Sequence, residues 1–371
     1  MASTLKKKPN ICLIYTGGTI GMQRDEKGTL RPPVNPGSFM QIAPELKELA
    51  KFDFVPLMNK DSTNMNPGDW KKIAQEIYNC RDRGYDGFVI AHGTDTMHFS
   101  ASAVAFALGE NLNFPVVFTG SQTAPDIYHG DARVNLLRAF KVAAGDFAEV
   151  VICFGDHVFR GCRAQKKDER RFEAFESPSA SPLADITEDI IPSPFVRKRK
   201  KTKKAIEFQN EFADGIVQVS LIPGLEPELL DSWIINSRCR GIVLQSFGAG
   251  NVPSEGEYAL TEFIKKAKKH CTPVLITSQF PANATLHTAY EPGKLAIEAG
   301  AIPTGNMTSA CATAKFRWVL AQIDNSSNVS QINKIKKKHR LDINDGRMDC
   351  IYELMSTAFI GELDEPTKKS K

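Results

Sequence analysis

Tyr15-Thr16-Gly17-Gly18-Thr19-Ile20-Gly21 and His92-Gly93-Thr94-Asp95-Thr96 decide how this sequence folds. Each follows an apolar run that reads as a buried strand, over residues 10–15 and 85–91. Each then delivers hydroxyls and glycines, and in the second case a carboxylate, to the strand's carboxyl end. In open parallel sheets that edge is where ligands bind. Two threonine-rich, glycine-hinged loops at one edge therefore suit attack on a small polar substrate.

Working outward, strand and helix signals alternate. Trp70, Ile73, Ile77 and Cys80 fall on one stripe of a predicted helix over 69–83. Further strands are predicted over 87–91, 115–119 and 149–154, with helices over 99–109 and 134–144. Uniformly apolar strands separated by helices imply a parallel sheet covered on both faces. Residues 177–194 are rich in proline and serine and read as a linker. Alternation resumes with strands over 215–221, 241–246 and 273–277 and helices over 257–270 and 293–300. The fold class is α/β in two domains, a larger N-terminal one with a parallel sheet and a smaller C-terminal one. The expected boundaries are 1–192, a linker with a basic excursion over 193–212, and 213–371, with a frayed tail from Asp364.

Composition narrows the function classes. A net charge of +4 over 371 residues is small, and no apolar stretch approaches the ~20 residues that span a bilayer. Only five apolar residues lie between Asn10 and Thr16, too few for a secretory core, so a cytoplasmic location is expected. Eight scattered cysteines without a C-x-x-C pair read as buried thiols rather than disulfides or zinc ligands. Two basic runs, Arg197-Lys198-Arg199-Lys200-Lys201-Thr202-Lys203-Lys204 and Lys334-Ile335-Lys336-Lys337-Lys338-His339-Arg340, read as solvated surface. Neither is interleaved with aromatics, so nucleic acid is not the expected partner.

The motifs themselves suit a nucleophilic threonine. Thr-Gly-Gly-Thr-Ile-Gly is neither G-x-G-x-x-G nor a Walker loop ending in G-K-[ST], which argues against nucleotide binding. A threonine hydroxyl is a poor nucleophile at neutral pH and needs a partner that removes its proton. A desolvated lysine can accept one, and Arg160-Gly161-Cys162-Arg163-Ala164-Gln165-Lys166-Lys167 carries candidates. His92 reads as a structural histidine, since no second histidine stands at metal-ligand spacing.

The two threonine motifs resemble the bacterial-type L-asparaginase family, and the segments 57–67, Thr119-Gly120-Ser121-Gln122, 130–137 and Gly248-Ala249-Gly250-Asn251 agree in order and spacing. The stretch Thr16–Arg24 is similar to the cytoplasmic type I branch. The resemblance implies that Thr16 attacks the side-chain amide of L-asparagine, giving an acyl-enzyme that water hydrolyses to L-aspartate and ammonia. It further implies that Thr94, Asp95 and Lys166 form a facing hydroxyl–carboxylate–lysine set, with Lys167 as the alternative register for the lysine. Asp61, Ser62 and Thr63 match the loop that binds the substrate's α-carboxylate and α-amino groups. Asn251 and Tyr290 stand where the family completes the site from a neighbouring subunit, implying a homodimer or homotetramer. No metal or organic cofactor is implied. Three features depart from the pattern: Gln245 where type I members often carry an arginine serving an effector site, Ala310 after Met307-Thr308-Ser309 in place of a glutamate, and apparent insertions at Arg197 and over 333–349.

Two rivals stand beside this reading. The asparaginase-like subunit of the archaeal glutamyl-tRNA amidotransferase is expected to carry an extra N-terminal domain ahead of its threonine loop, where fifteen residues precede Thr16 here. A non-catalytic binding protein is the other, and it would need no nucleophile together with proton-transfer partners. Some glutamine turnover is also expected, because one methylene discriminates by only ~1–3 kcal/mol.

Overall fold

A computed structural model describes residues 8–33, 35–202, 204–280, 291–324 and 346–364. The chain divides into two compact units, Met1–Asn210 and Glu211–Lys371.

The N-terminal unit is built on one eight-stranded sheet. β1 (Asn10–Tyr15) is one of its inner strands, with five consecutive buried residues, as a strand covered on both faces requires. After a small hairpin of β2 (Gln23–Arg24) and β3 (Leu30–Arg31) come β4 (Lys51–Pro56), β5 (Gly87–Ala91), β6 (Val116–Thr119), β7 (Val150–Phe154) and β8 (His157–Arg160). A second hairpin pairs β9 (Gln165–Lys166) with β10 (Phe175–Glu176), and β11 (Ala184–Ile186) and β12 (Ile190–Pro192) close the sheet. The order is β12-β11-β8-β7-β6-β5-β1-β4. β4, β1, β5, β6 and β7 are mutually parallel, whereas β8, β11 and β12 are antiparallel additions.

The sequence reading holds for the parallel strands β1, β5, β6 and β7 and for the helices Pro67–Cys80, Met97–Leu108 and Ala132–Ala143, with ends shifted by a few residues. It fails at 177–194, which is no linker. β11 and β12 lie there, and Pro192 is tolerated because β12 is the edge strand. Residues 193–210 belong to the N-terminal unit instead of leaving it, and part of the basic run is laid along that unit by side-chain-to-backbone hydrogen bonds. β4 went unpredicted because its alternating, half-exposed pattern marks an edge strand.

The C-terminal unit carries a four-stranded parallel sheet, β13 (Ile216–Ser220), β14 (Gly241–Ser246), β15 (Val274–Ser278) and β16 (Ile302–Pro303), in sequential order. Its core joins Ile242, Leu244 and Ile276 from the sheet to Phe263, Ile264 and Ala267 of the helix Thr261–Lys269. The helix Ser309–Asp324 is clamped to the chain's end by Lys315, which is fully buried. Its Nζ donates to Met355 O (2.9 Å) and Thr357 O (2.6 Å) and pairs with the buried Glu362 (2.8 Å). Six of the eight cysteines are buried, while Cys271 is exposed. The second basic run, residues 333–345 of the C-terminal insertion, and the tail beyond Asp364 lie outside the described residues. Among the described residues, no helix is long and apolar enough to cross a membrane.

Candidate active site

Parallel register brings the threonine loops together. Tyr15 pairs with Ala91, and Ala91 with Thr119, so β1, β5 and β6 end level with one another. The ladder continues one step further, Thr16 N donating to Ala91 O and His92 N to Thr119 O. Thr16, Thr94 and Gln122 are thereby delivered to the same sheet edge.

The glycines are there for contact. A Cβ on Gly17, at φ +122°, would fall 2.0 Å from Lys60 O, and one on Gly18, at φ +84°, would fall 2.5 Å from Gly93 N. The loop after Tyr15 is thus pressed against both Lys60 and Gly93. Thr16 is fully buried, and its hydroxyl donates to Ala91 O at 3.0 Å. No titratable group hydrogen-bonds that hydroxyl among the described residues.

The loop 60–64 is fixed from two sides. Lys60 Nζ pairs with Asp69 at 2.5 Å, and the same carboxylate receives Asn66 N, completing a capping box at the start of the helix Pro67–Cys80. Thr63 donates to Asp61 Oδ1 through both its amide and its hydroxyl, at 2.9 Å each, and this holds the Asp61 carboxyl below the ordinary carboxylate range. Ser62 is buried. Its Oγ accepts from Asp95 N (3.2 Å), and its carbonyl accepts from the Thr96 hydroxyl (2.7 Å).

Lys166 reaches in from the β9–β10 hairpin. Its Nζ donates to Thr94 Oγ1 at 2.8 Å and lies 2.6 Å from Asp95 Oδ1. Strand alternation sends Lys167 the other way, where it is exposed. Thr94 Oγ1 in turn donates to Gln122 Oε1 at 3.2 Å. Gln122 Nε2 donates to the carbonyls of Asp168 and Arg171, and its amide nitrogen donates to the buried Asp131 carboxylate, at 2.9 Å to one oxygen. Gln122 and Asp131 stand in the sequence motifs without a role of their own. A hydroxyl or amide directly after a parallel strand is the signal that marks Gln122, and only the contact shows its partner.

Two histidines lie beneath the site. Burial pushes both His92 and His98 down to about 4, so both are neutral at pH 7. Lys166 adds to the effect at His98. His92 Nδ1 faces Gly93 O at 2.6 Å and must be its donor, while the buried Nε2 has no hydrogen-bond partner among the described residues. The expected structural role therefore comes with one orphaned nitrogen.

The remaining sequence candidates are in the C-terminal unit. Asn251 closes the turn after β14, pairing with Phe247. Gln245 sits on β14, joined to Ser220 and, at 3.1 Å, to Ser309, and Ala310 is buried in the first turn of the helix Ser309–Asp324. Tyr290 lies outside the described residues. No group of three or more His, Cys, Asp or Glu side chains arranged to hold a metal occurs among the described residues.

The family descriptions "Asparaginase, N-terminal" and "Glutaminase/Asparaginase C-terminal domain" match residues 10–193 and 216–332. The chain belongs to the asparaginase family. In fold this family member is similar to the thermostable L-asparaginase from Thermococcus kodakarensis, with a TM-score of 0.81 at 28% identity, covering 96% of this chain and all of that one. It is also similar to L-asparaginase I from Vibrio cholerae, with a TM-score of 0.79 at 29% identity over 97% of this chain and all of that one. In sequence it is 32% identical over 346 residues to one subunit of the glutamyl-tRNA(Gln) amidotransferase of Methanosphaera stadtmanae, covering 91% of this chain and 77% of the relative. The corresponding subunit of Aeropyrum pernix is 34% identical over 323 residues, 84% and 74% of the two chains. The asparaginase family is thus shown for this chain, whereas the type I branch expected from the sequence is not, because the two sequence relatives are amidotransferase subunits.

Proposed function

We propose that the chain hydrolyses the side-chain amide of L-asparagine to L-aspartate and ammonia, with some turnover of L-glutamine. One observation carries the reading: Lys166 Nζ sits between Thr94 Oγ1 and Asp95 at the sheet edge that also presents Thr16. A hydroxyl, a lysine and a carboxylate in hydrogen-bond series, facing a second hydroxyl, form a set for nucleophilic attack with proton transfer.

In this mechanism Thr16 Oγ1 adds to the amide carbon, and the carbonyl oxygen takes negative charge within reach of loop N–H groups. The hydroxyl proton passes through Thr94 and Lys166 to the departing nitrogen, which leaves as ammonia. The same pair then deprotonates the water that cleaves the threonine ester, releasing aspartate and restoring Thr16. Asp95 positions Lys166 and takes the substrate ammonium, and Asp61, Ser62 and Thr63 hold the α-carboxylate and α-amino groups. Asn251 and Tyr290, supplied by a second copy, complete the pocket of a cytoplasmic homodimer or homotetramer that works without a cofactor.

A second reading is favoured by the 32–34% identity to the amidotransferase subunits. There the same chemistry frees ammonia from glutamine for use on glutamyl-tRNA(Gln). Ammonia release, titrated with asparagine and with glutamine from micromolar to millimolar, separates the two. Preference for asparagine is the expected result. Preference for glutamine, rising when glutamyl-tRNA(Gln) is added, would replace the first reading with the second.

A further inference from the structure

The basic run that begins at Arg197 plays no part in the amide chemistry, and its geometry is specific. Its main chain is fastened along the amino edge of the large sheet, opposite the threonine loops. Arg197 N donates to Glu149 Oε1 (2.9 Å), and Arg197 O accepts from Ala148 N (2.7 Å), just ahead of β7. Arg199 N donates to Asp146 Oδ1 (3.0 Å). Lys200 exchanges both backbone groups with the Asn113 side chain, at 2.6 and 3.0 Å, just ahead of β6. Arg199 turns its guanidinium inward, to Asp86 O and Gly145 O at 2.8 Å each.

With the main chain so held, the other cations surround a cavity of about 440 Å3. Among the described residues, Arg197, Lys198, Lys200 and Lys204 line it against one carboxylate, Glu110, which leaves three formal positive charges around one space. Lys198, Lys200 and Lys204 form no ion pair with any described residue. Exposed cations gathered along one stretch of surface make the local potential positive, which attracts anions.

We propose that this cavity binds a small molecule carrying a di- or triphosphate chain, held through its phosphates. The volume lies in the range of small-molecule sites. A chain of two or three phosphates brings close to the compensating charge at neutral pH, and lysine ammonium groups bind phosphate as point charges. The described lining contains no aromatic ring, so it offers no platform on which nucleobases stack, which favours a compact polyphosphate over a nucleic-acid strand. The full length of the strands separates this site from Thr16 and Thr94, so it is independent of the amide chemistry.

Calorimetric titration of the full chain with inorganic tripolyphosphate, at fixed ionic strength, tests this, with ATP and a short single-stranded RNA as comparison arms. One-site binding is expected, weakened at least about tenfold by Lys198→Gln/Lys200→Gln/Lys204→Gln because three charge-assisted contacts are removed. It should be unchanged by Lys265→Gln/Lys268→Gln/Lys269→Gln, which removes equal charge from a helix of the other unit. ATP binding as tightly as tripolyphosphate identifies a nucleotide as the source of the phosphates, and tripolyphosphate alone identifies a free polyphosphate; both uphold the site. Absence of binding, equal loss in the control variant, or RNA binding that tripolyphosphate does not displace would each overturn it.

Discussion

Lys166 Nζ stands 2.8 Å from Thr94 Oγ1, across 72 residues of sequence. Neither side chain belongs to the apolar core, and their meeting depends on β5 ending at the site while the β9–β10 hairpin folds back over it. Chemistry explains this contact better than stability does, because a partly exposed hydroxyl–ammonium pair contributes little to folding.

Replacing Lys166 with methionine keeps the stem and removes the charge. Turnover of asparagine should fall by roughly 10²–10⁴-fold, the usual share of a positioned proton-transfer group. Thermal melting should stay within a few degrees of the parent. Steady-state ammonia release beside a melting curve checks both, and an active Lys166→Met protein would remove the lysine from the mechanism.

Gln122 accepts the hydrogen bond of the Thr94 hydroxyl and ties it to the loop at Asp168 and Arg171. Without it the hydroxyl is free to rotate away from its productive direction. Gln122→Ala should lower kcat by about tenfold to a hundredfold while leaving KM within a few-fold, since misplacement costs rate more than binding. A change confined to KM would instead make Gln122 a substrate contact.

Gly17 has no room for a side chain. Alanine there must adopt φ near +122° with its Cβ 2.0 Å from Lys60 O, so the loop and the Lys60 segment have to part. The strain alone is of order 1–3 kcal/mol. Urea titration of Gly17→Ala should show a lower midpoint together with lost activity, whereas Gly28→Ala, in open space at φ +78°, should keep full activity.

Lys315 and Glu362 are both fully buried and 2.8 Å apart. Burial by itself raises the Glu362 carboxyl; the Lys315 charge and hydrogen bonds, including one from Ile360 N, outweigh it, and the net displacement is downward. A carboxyl whose folded value lies below its unfolded one adds stability above the unfolded value, ~4.3, and loses it as pH falls through the folded value. The C-terminal unit should therefore soften in acid below about pH 4. Lys315→Met should destabilise by ~3–5 kcal/mol at neutral pH, because it strands a buried carboxylate. Adding Glu362→Met should recover much of that loss, which chemical denaturation of the two variants will show.

The parallel core was legible because buried strands carry a signal in every residue. Ile11 to Tyr15 and Gly87 to Ala91 are apolar without interruption, and glycines mark where each strand gives way to a loop. Antiparallel additions carry far less. β11 and β12 have three residues each, framed by Ser and Pro, and nothing local distinguishes them from a linker. The basic run is exposed, as its charge suggested. It is not a linker, because its backbone is secured by Glu149, Asp146 and Asn113, which are distant in sequence.

By itself the sequence determined the alternating α/β plan and the placement of Thr16 and Thr94 just past the carboxyl ends of two parallel strands. Those properties follow from local patterning, the apolar runs, the turn glycines and the strand direction. Only the tertiary structure decided that Lys166 rather than Lys167 turns toward Thr94, that Gln122 accepts its hydroxyl, and that Ser62 is locked beneath Asp95. Each of these depends on which face of a strand a residue occupies and on what a distant segment brings opposite to it. Such pairings are fixed by sheet order and register, which no single stretch of the chain encodes.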